Sequence, residues 1–220
     1  MLFDLRGRRR RAVQATYLML AVLMGGGLVL FGIGGDVSGG LVDAFKGGGG
    51  GSNGDSALRD QAERQEERLA KSPQNPVVLQ NLVRDYYSLA TAQRESGTVG
   101  FPADSKDELR KSGEYWQRYT QAVTGEPSAD TARYALQVYD AGALNRPKEA
   151  QKAAAIIAQD SNDVASYLRL VAYAARAGDT RTADLAAKKA VDLAPKAQRK
   201  DVQKQAEALK KPPPGQPAGG

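Results

Sequence analysis

The sequence predicts an all-α protein with one membrane-spanning helix near its N-terminus and a domain of paired helices after it. Three observations support this prediction. Residues 12–33 form an apolar run without a charged side chain, and residues 47–51 are consecutive glycines. After Ser56, residues that favour helices predominate, and Gly, Pro or Asn-Asp signals interrupt them at intervals of about 12 to 18 residues.

The first eleven residues predict the orientation of the membrane helix. Residues 1–11 are a basic stub in which five arginines face a single acidic residue, Asp4. Because the cytoplasmic flanks of membrane helices are rich in Lys and Arg, we expect this stub in the cytoplasm. The rest of the chain then lies on the extracytoplasmic side of a bacterial plasma membrane. The residues that determine this topology are Arg6, Arg8, Arg9, Arg10 and Arg11.

The apolar run 12–33 is long enough to cross a bilayer. As a helix it spans about 33 Å, against about 30 Å of hydrocarbon. The alternative is a cleavable signal peptide, whose apolar core is shorter, about 7 to 15 residues, and ends at a small-residue cleavage site. The segment after residue 33 offers only a poor site of that kind. We therefore expect an uncleaved signal-anchor.

Small residues in the middle of this run permit the close approach of a second membrane helix. Glycine is also more frequent in membrane helices than in soluble ones, so a plain anchor is the alternative. The residues predicted to pack against a partner helix are Ala21, Gly25, Gly26 and Gly27.

Three further segments complete the predicted organisation. Residues 34–56 form a Gly-rich juxtamembrane linker that behaves as a flexible coil. Residues 57–211 form a helical-repeat domain, in which polar helices at 57–71 and 197–210 cap the two ends. Residues 212–220 are a Pro/Gly tail that cannot bury a core and is expected to be disordered.

The clearest repeating unit covers residues 164–197. A large aromatic, a core leucine, two small residues and a final proline recur there at fixed spacings, as Tyr167, Leu170, Ala183, Ala190 and Pro195. Over its full length this unit resembles a tetratricopeptide repeat (TPR). The small residues are needed where two helices cross closely, and the proline ends the second helix.

Two upstream units show similar spacings. The middle unit places Tyr134, Val138, Ala141, Ala150, Ala154 and Ile157 on its core face. The first unit places Leu79, Leu82, Val83 and Tyr86 in one helix and, after an insertion at 91–105, Leu109, Trp116, Tyr119 and Val123 in the next. The resemblance implies a TPR-like α-solenoid of about three helix pairs with capping helices.

The first helices of a TPR array line its concave surface, so the resemblance also implies a peptide-binding groove. We expect this groove to be mainly apolar with a few basic residues. Its predicted residues are Val77, Gln80, Arg84, Tyr87, Ala135, Tyr139, Leu168, Ala172 and Arg176.

Composition argues against most enzyme chemistry. The chain has no Cys and no His, which removes thiolate nucleophiles, imidazole bases and Cys/His metal sites. The acidic pairs Glu66-Glu67 and Asp107-Glu108 fit solvated helix faces better than a catalytic carboxylate dyad. We expect no catalytic activity, no metal and no cofactor.

The net charge of +6 lies at the two ends of the chain. Residues 1–11 carry +4 and residues 188–220 carry +5, whereas residues 47–187 carry −2. A domain that binds nucleic acid would carry a basic face through its fold, so we expect no such partner. Residues 188–211 suggest a third function, binding to anionic lipid.

The sequence therefore predicts a membrane-tethered TPR adaptor or scaffold that binds a protein or peptide. The order of anchor and TPR domain is similar to that of the ancillary subunits of the bacterial protein-export channel, which implies a chaperone-like role. The basic start and the FGIG end of the span are also similar to the anchors of membrane-bound peptidyl-prolyl isomerases, but no isomerase domain follows. The alternative is a structural subunit of an envelope complex that assembles through its Gly-containing membrane helix.

Overall fold

Helix-forming sequence and helix-stop signals divide the chain into eight α-helices across the residues that the structure describes. The structure is a computed structural model, and it describes residues 52–94 and 100–211. These ranges contain no β-strand, so the all-α prediction is confirmed for them. The helices are α1 Ser52–Lys71, α2 Pro76–Ala92, α3 Lys106–Ala122, α4 Ala129–Tyr139, α5 Pro147–Ser161, α6 Val164–Arg176, α7 Thr180–Leu193 and α8 Arg199–Lys210, with a 3-10 turn at Ala103–Ser105.

Several predicted segments lie outside the described residues. They are the basic stub, the apolar span 12–33 with its small residues, most of the Gly-rich linker, and the tail 212–220. Within residues 52–94 and 100–211, none of the helices combines the length and the apolar character that a bilayer crossing requires.

Side-chain caps and prolines fix where the helices begin. The Asn75 side chain accepts hydrogen bonds from the backbone N–H groups of Val77 and Val78, which would otherwise lack partners at the start of α2. Pro76 occupies the first turn of α2, where a missing N–H costs nothing. These local signals are readable in the sequence, and the predicted helices 57–71 and 197–210 correspond to α1 and α8. Helix α1 begins earlier than predicted, at Ser52, within the predicted linker 34–56.

The helices pack in the order in which the chain forms them. Helix α2 packs against α3, α4 against α5, and α6 against α7, and each pair contacts the next pair along the chain. Helix α8 closes the series on α6 and α7. From α2 to α8, every packed pair of helices consists of neighbours or next neighbours in the chain. The described residues from Asp55 onward belong to one compact unit.

The core side chains become smaller along the chain, from leucines and aromatic residues in α2 and α3 to alanines in α7. Leu79, Leu82 and Leu109 are fully buried in the first pair, and Trp116 lies beside them. In the last pair the buried residues of α7 are all alanine, namely Ala183, Ala186, Ala187 and Ala190. Alanine at these positions lets the helix axes of α6 and α7 approach closely.

The predicted core face of α4 is only partly correct, and Tyr134 is half-buried against the core. Val138 is buried as predicted, but Ala141 is exposed because the helix ends at Tyr139, two residues earlier. The face of α4 that packs into the core consists of Ala132, Ala135, Leu136 and Tyr139. The physical reason is the space over Gly113 in α3, which has no side chain and accommodates the Tyr139 ring.

Candidate binding surface

The predicted groove residues divide into three groups in the structure. Val77 is 61% exposed, and Arg84 and Arg176 are also exposed. Gln80, Tyr87 and Ala172 are half-buried, whereas Ala135, Tyr139 and Leu168 are buried in the core. Six of the nine predicted residues therefore reach a surface, and three do not.

The buried residues reflect the register of α4 and the packing of α6. Ala135 is fully buried, and Tyr139 is 1% exposed with its hydroxyl donating to the backbone oxygen of Gly113 at 2.8 Å. Burial raises the pKa of Tyr139 to about 12. The exposed residues of α4 are instead Asp130, Arg133 and Gln137, none of which was predicted for the groove, and Arg133 forms an ion pair with Asp130. Hence this surface is more polar than predicted.

One ring contact and two hydrogen bonds connect the outward sides of α2, α4 and α6. The rings of Tyr87 in α2 and Tyr134 in α4 lie 5.5 Å apart. Asp140, directly after α4, accepts hydrogen bonds of 3.2 Å from the Tyr173 hydroxyl and from the Arg176 guanidinium of α6. We call this shared side the first-helix surface, and its residues are Val77, Gln80, Arg84, Tyr87, Arg133, Tyr134, Gln137, Ala172 and Arg176.

An aromatic cluster lies at the junction of α2 and α4. Phe101, from the segment between α2 and α3, packs edge-on against Tyr87 at 6.2 Å, and the guanidinium of Arg94 lies 4.9 Å from the Phe101 ring centre. The backbone N–H of Phe101 donates to the oxygen of Gly142 at 3.0 Å. The described part of the insertion thus contributes an aromatic side chain to the edge of this surface. Spacing alone did not indicate this contribution.

Polar side chains in α2 connect the first-helix surface to the core. The Gln80 amide donates to the Tyr119 hydroxyl at 2.8 Å, and the same oxygen accepts the Ser128 backbone N–H at 2.8 Å. Arg84 donates to Asp85 Oδ1 at 3.3 Å. These bonds fix the terminal groups of Gln80 and Arg84. That side of α2 is therefore ordered before any ligand binds.

Asp85 is a buried carboxylate next to this surface. It is 2% exposed, and its Oδ1 also accepts a hydrogen bond from the Gln61 amide of α1 at 2.9 Å. Its Oδ2 is buried without a hydrogen-bond partner. Burial raises the pKa of Asp85, although Gln61 and Arg84 oppose that rise. The charged form is therefore costly in the folded domain.

The sequence predicts that Glu66 lies on a solvated helix face, but its side chain is only 34% exposed. Its Oε1 accepts hydrogen bonds from the hydroxyls of Tyr86 at 2.6 Å and Tyr115 at 2.7 Å, and the Lys111 ammonium lies 3.5 Å away. Burial raises the pKa of Glu66, but the two hydroxyls and Lys111 outweigh it and hold the pKa below its usual value. Glu66 thus attaches α1 to α2 and α3.

The hydrogen bonds between Glu66 and the two tyrosines have a structural role. Burial and the hydrogen bonds to Glu66 raise the pKa values of both Tyr86 and Tyr115, so neither hydroxyl is activated as a phenolate. Glu67, the other member of the acidic pair, is exposed.

The second acidic pair divides in the same way. Asp107 is exposed, whereas the Glu108 side chain is only 13% exposed and accepts hydrogen bonds from Gln93 at 3.0 Å and Arg59 at 3.4 Å. The prediction of a solvated face fits Glu67 and Asp107, whereas Glu66 is 34% exposed and Glu108 is 13% exposed. In each pair, the less exposed carboxylate joins α1 to its neighbours. Within the described ranges, no group of three or more His, Cys, Asp or Glu side chains is placed to hold a metal ion.

Comparison with known proteins adds no relative. No protein-family model, no curated protein and no solved structure matches this chain. The functional argument therefore depends on the residues and their geometry.

Proposed function

We propose that this chain is a membrane-tethered TPR adaptor that binds a protein or peptide partner on the extracytoplasmic side of a bacterial plasma membrane. The observation that carries the proposal is the packing of α6 and α7. Helix α6 begins at Val164, where the TPR-like unit begins in the sequence. Leu170, Ala183 and Ala190 of that unit are 6%, 2% and 0% exposed. Burial of three of the five residues that carry the resemblance supports a TPR-like unit.

The order of helix packing supports a solenoid of such units. In a repeat array each unit contacts only its neighbours, and the end units have polar outer faces. From α2 to α8, packed helices are neighbours or next neighbours in the chain. Both α1 and α8 present mostly polar residues outward. These features favour three helix pairs capped by α1 and α8.

The first-helix surface is the proposed binding site. It offers the exposed Val77, the half-buried Tyr87 and Tyr134, and exposed arginines on all three helices. Aromatic and arginine side chains are enriched in protein interfaces because they combine large contact area with directed hydrogen bonds. Each of these arginines pairs with an acidic residue of the domain, Asp85, Asp130 or Asp140, so a peptide with apolar and polar side chains fits this surface best. A chaperone-like role near the protein-export channel is one form of this proposal.

The membrane tether is proposed from the sequence. The uncharged run 12–33 and the arginines before it favour an anchor whose C-terminal side is extracytoplasmic. Tethering would raise the effective concentration of the surface near any partner in the same membrane.

Charge reversal on α4 tests the binding site. In the full chain, Arg133→Glu with Gln137→Glu changes the first-helix surface, and Lys152→Glu with Gln159→Glu makes the matched change on α5. All four residues are exposed. The amount of partner protein captured from detergent-solubilised membranes should fall about tenfold or more for the α4 variant, relative to the wild type. It should be unchanged for the α5 variant. Equal retention by both variants would refute the proposed site.

A further inference from the structure

Helix α8 has two opposite faces. Val202 and Ala206 are buried, and Leu209 is half-buried against the core. At about 100° per residue, Lys200 and Lys204 lie on the opposite side of the helix from these three. Lys211 follows at the C-cap, and all three lysines are exposed. The outer face of α8 therefore carries three lysines and one exposed carboxylate, Glu207, which pairs with Lys210.

Helix α7 adds an apolar side chain beside this line. Leu185 is 60% exposed, and in the described ranges only Val77 is comparable among large apolar residues. Lys188 and Lys189 are exposed on the turn that follows Leu185. The Lys210 ammonium of α8 lies 2.7 Å from the carboxylate of Asp184, the residue before Leu185. This ion pair places the C-terminal end of α8 next to Leu185.

Most of these lysines have no acidic partner. Within residues 52–94 and 100–211, the ion pairs near α8 all involve Lys210, which contacts both Asp184 and Glu207. These two carboxylates also raise the pKa of Lys210. Residues 188–211 as a whole carry a net charge of +5. The local excess of positive charge is therefore directed towards solvent.

We propose that this basic surface docks the domain onto a bilayer that contains anionic phospholipid. The basic surface consists of Leu185, Lys188, Lys200, Lys204 and Lys211, whereas the Lys189 ammonium lies 6.0 Å from the centre of the Tyr167 ring of α6. Lysines near an anionic bilayer each strengthen binding by about fivefold. An exposed leucine among lysines fits the boundary between headgroups and acyl chains. A surface that binds nucleic acid would favour arginine, whose guanidinium makes bidentate contacts, over lysine. The exposed leucine would have no role in such a surface.

This docking site is separate from the first-helix surface. It would hold the domain in a fixed orientation at the bilayer. The chain contains no cysteine, so a single introduced one can be labelled specifically. Ala208 is exposed on α8 near Lys204, and Ala208→Cys adds no charge.

The test uses the full chain with an environment-sensitive fluorophore at Ala208→Cys. It is mixed or reconstituted with vesicles of phosphatidylcholine alone or with phosphatidylglycerol added. The emission should shift to shorter wavelength only with phosphatidylglycerol, and 0.5 M salt should reverse the shift. Lys200→Glu with Lys204→Glu should weaken the lipid dependence by about tenfold or more. The same reversal at Lys148 and Lys152, both exposed on α5, should leave it unchanged.

Either of two results would overturn the docking proposal. One is identical emission with both vesicle compositions. The other is a response to polyglutamate or to nucleic acid without a response to vesicles, which would identify a different polyanion. The label reports contact whether or not residues 12–33 insert into the bilayer. Partner capture through α4 is measured separately, so failure of the docking site can be distinguished from failure of the proposed function.

Discussion

At the scale of single residues, Asp85, Glu66 and Glu108 form contacts that sequence patterns do not predict. Asp85 occurs in an amphipathic helix, where acidic residues are expected to face water. It is buried because α1 covers it and the Gln61 amide binds it, and α1 is distant in sequence. Glu66 and Glu108 are held by partners that are equally distant. Local patterns do not encode such contacts, and they were missed for that reason.

Asp85→Asn should stabilise the domain at neutral pH. The raised pKa means that the folded state retains a proton at pH values where the unfolded state has lost it, so stability falls as pH rises through that window. Asparagine keeps an acceptor for Gln61 and removes the buried charge. We expect the free energy of unfolding to rise by about 1 kcal/mol at pH 7, measured by urea denaturation.

The pH dependence of this gain provides the check. The difference between wild type and Asp85→Asn should shrink as pH is lowered through the raised pKa of Asp85. Asp107→Asn, at an exposed position, should give no comparable gain. A loss of stability at pH 7 in Asp85→Asn would show that pairing with Arg84 outweighs the cost of burial.

Glu66→Gln should weaken the attachment of α1. The Tyr86 and Tyr115 hydroxyls both donate to the Glu66 carboxylate, and a neutral amide oxygen accepts more weakly. The side chain is about one-third exposed, so solvent screening limits the loss to about 1 kcal/mol. Because the folded pKa is depressed, this stabilisation is present above the usual pKa of 4.5 and is lost as pH falls below it.

The matched control for this change is Glu67→Gln, which alters an exposed neighbour. Urea denaturation at pH 7 should show a loss for the Glu66 variant only. Equal effects of the two substitutions would mean that the hydrogen bonds to Glu66 do not stabilise α1.

At the scale of helices, the sequence analysis located the elements better than their faces. Caps and prolines such as Asn75, Pro76 and Pro147 are local signals, and the predicted helices agree with the observed ones for that reason. The face of α4 was misassigned because apolar residues surround most of this short helix. Alanine contributes little burial free energy, so the larger buried side chains Leu136, Val138 and Tyr139 decide the register.

Gly113→Ala tests that explanation. A Cβ at Gly113 would lie 3.0 Å from the Tyr139 hydroxyl oxygen and 3.1 Å from a ring carbon. Alanine favours helix by about 1 kcal/mol over glycine, but crowding in a packed core costs about 1 to 3 kcal/mol. Tyr139 is buried and bonded to the Gly113 oxygen, so its ring cannot easily move. We expect a net loss of about 1 kcal/mol in thermal or urea unfolding.

The double variant Gly113→Ala with Tyr139→Phe isolates the contact. Removing the hydroxyl that the new methyl group meets should make the effect of Gly113→Ala smaller than in the wild type. An equal effect in both backgrounds would mean that the Tyr139 hydroxyl does not restrict position 113.

At the scale of the whole molecule, the chain combines an anchor predicted from the sequence with a helical domain seen in the structure. The anchor rests on charge and length along residues 1–33, and the domain rests on packing. The composition of the first-helix surface was predictable only in part, because it depends on which sides of α2, α4 and α6 face the same way. The aromatic contact of Tyr87 with Tyr134 and the bonds to Asp140 decide this, and they join residues far apart in sequence.

Labelling in intact cells tests the predicted topology. The natural chain has no cysteine, so single cysteines at Leu2 and Ser56 report on the two sides of residues 12–33. A membrane-impermeant maleimide should label Ser56→Cys and not Leu2→Cys in intact cells, and both after lysis. Labelling of Leu2→Cys in intact cells would reverse the orientation, and a protein released by carbonate extraction would exclude the anchor.

Photo-crosslinking in intact cells tests the central claim most directly. A photoreactive amino acid replaces Gln137 on α4 or Gln159 on α5, which are exposed glutamines on the first and second helices of the same pair. The account predicts a discrete protein adduct from position 137 and none of that size from position 159. Adducts of equal yield from both positions, or none from position 137, would contradict the proposal that the first-helix surface binds a protein partner.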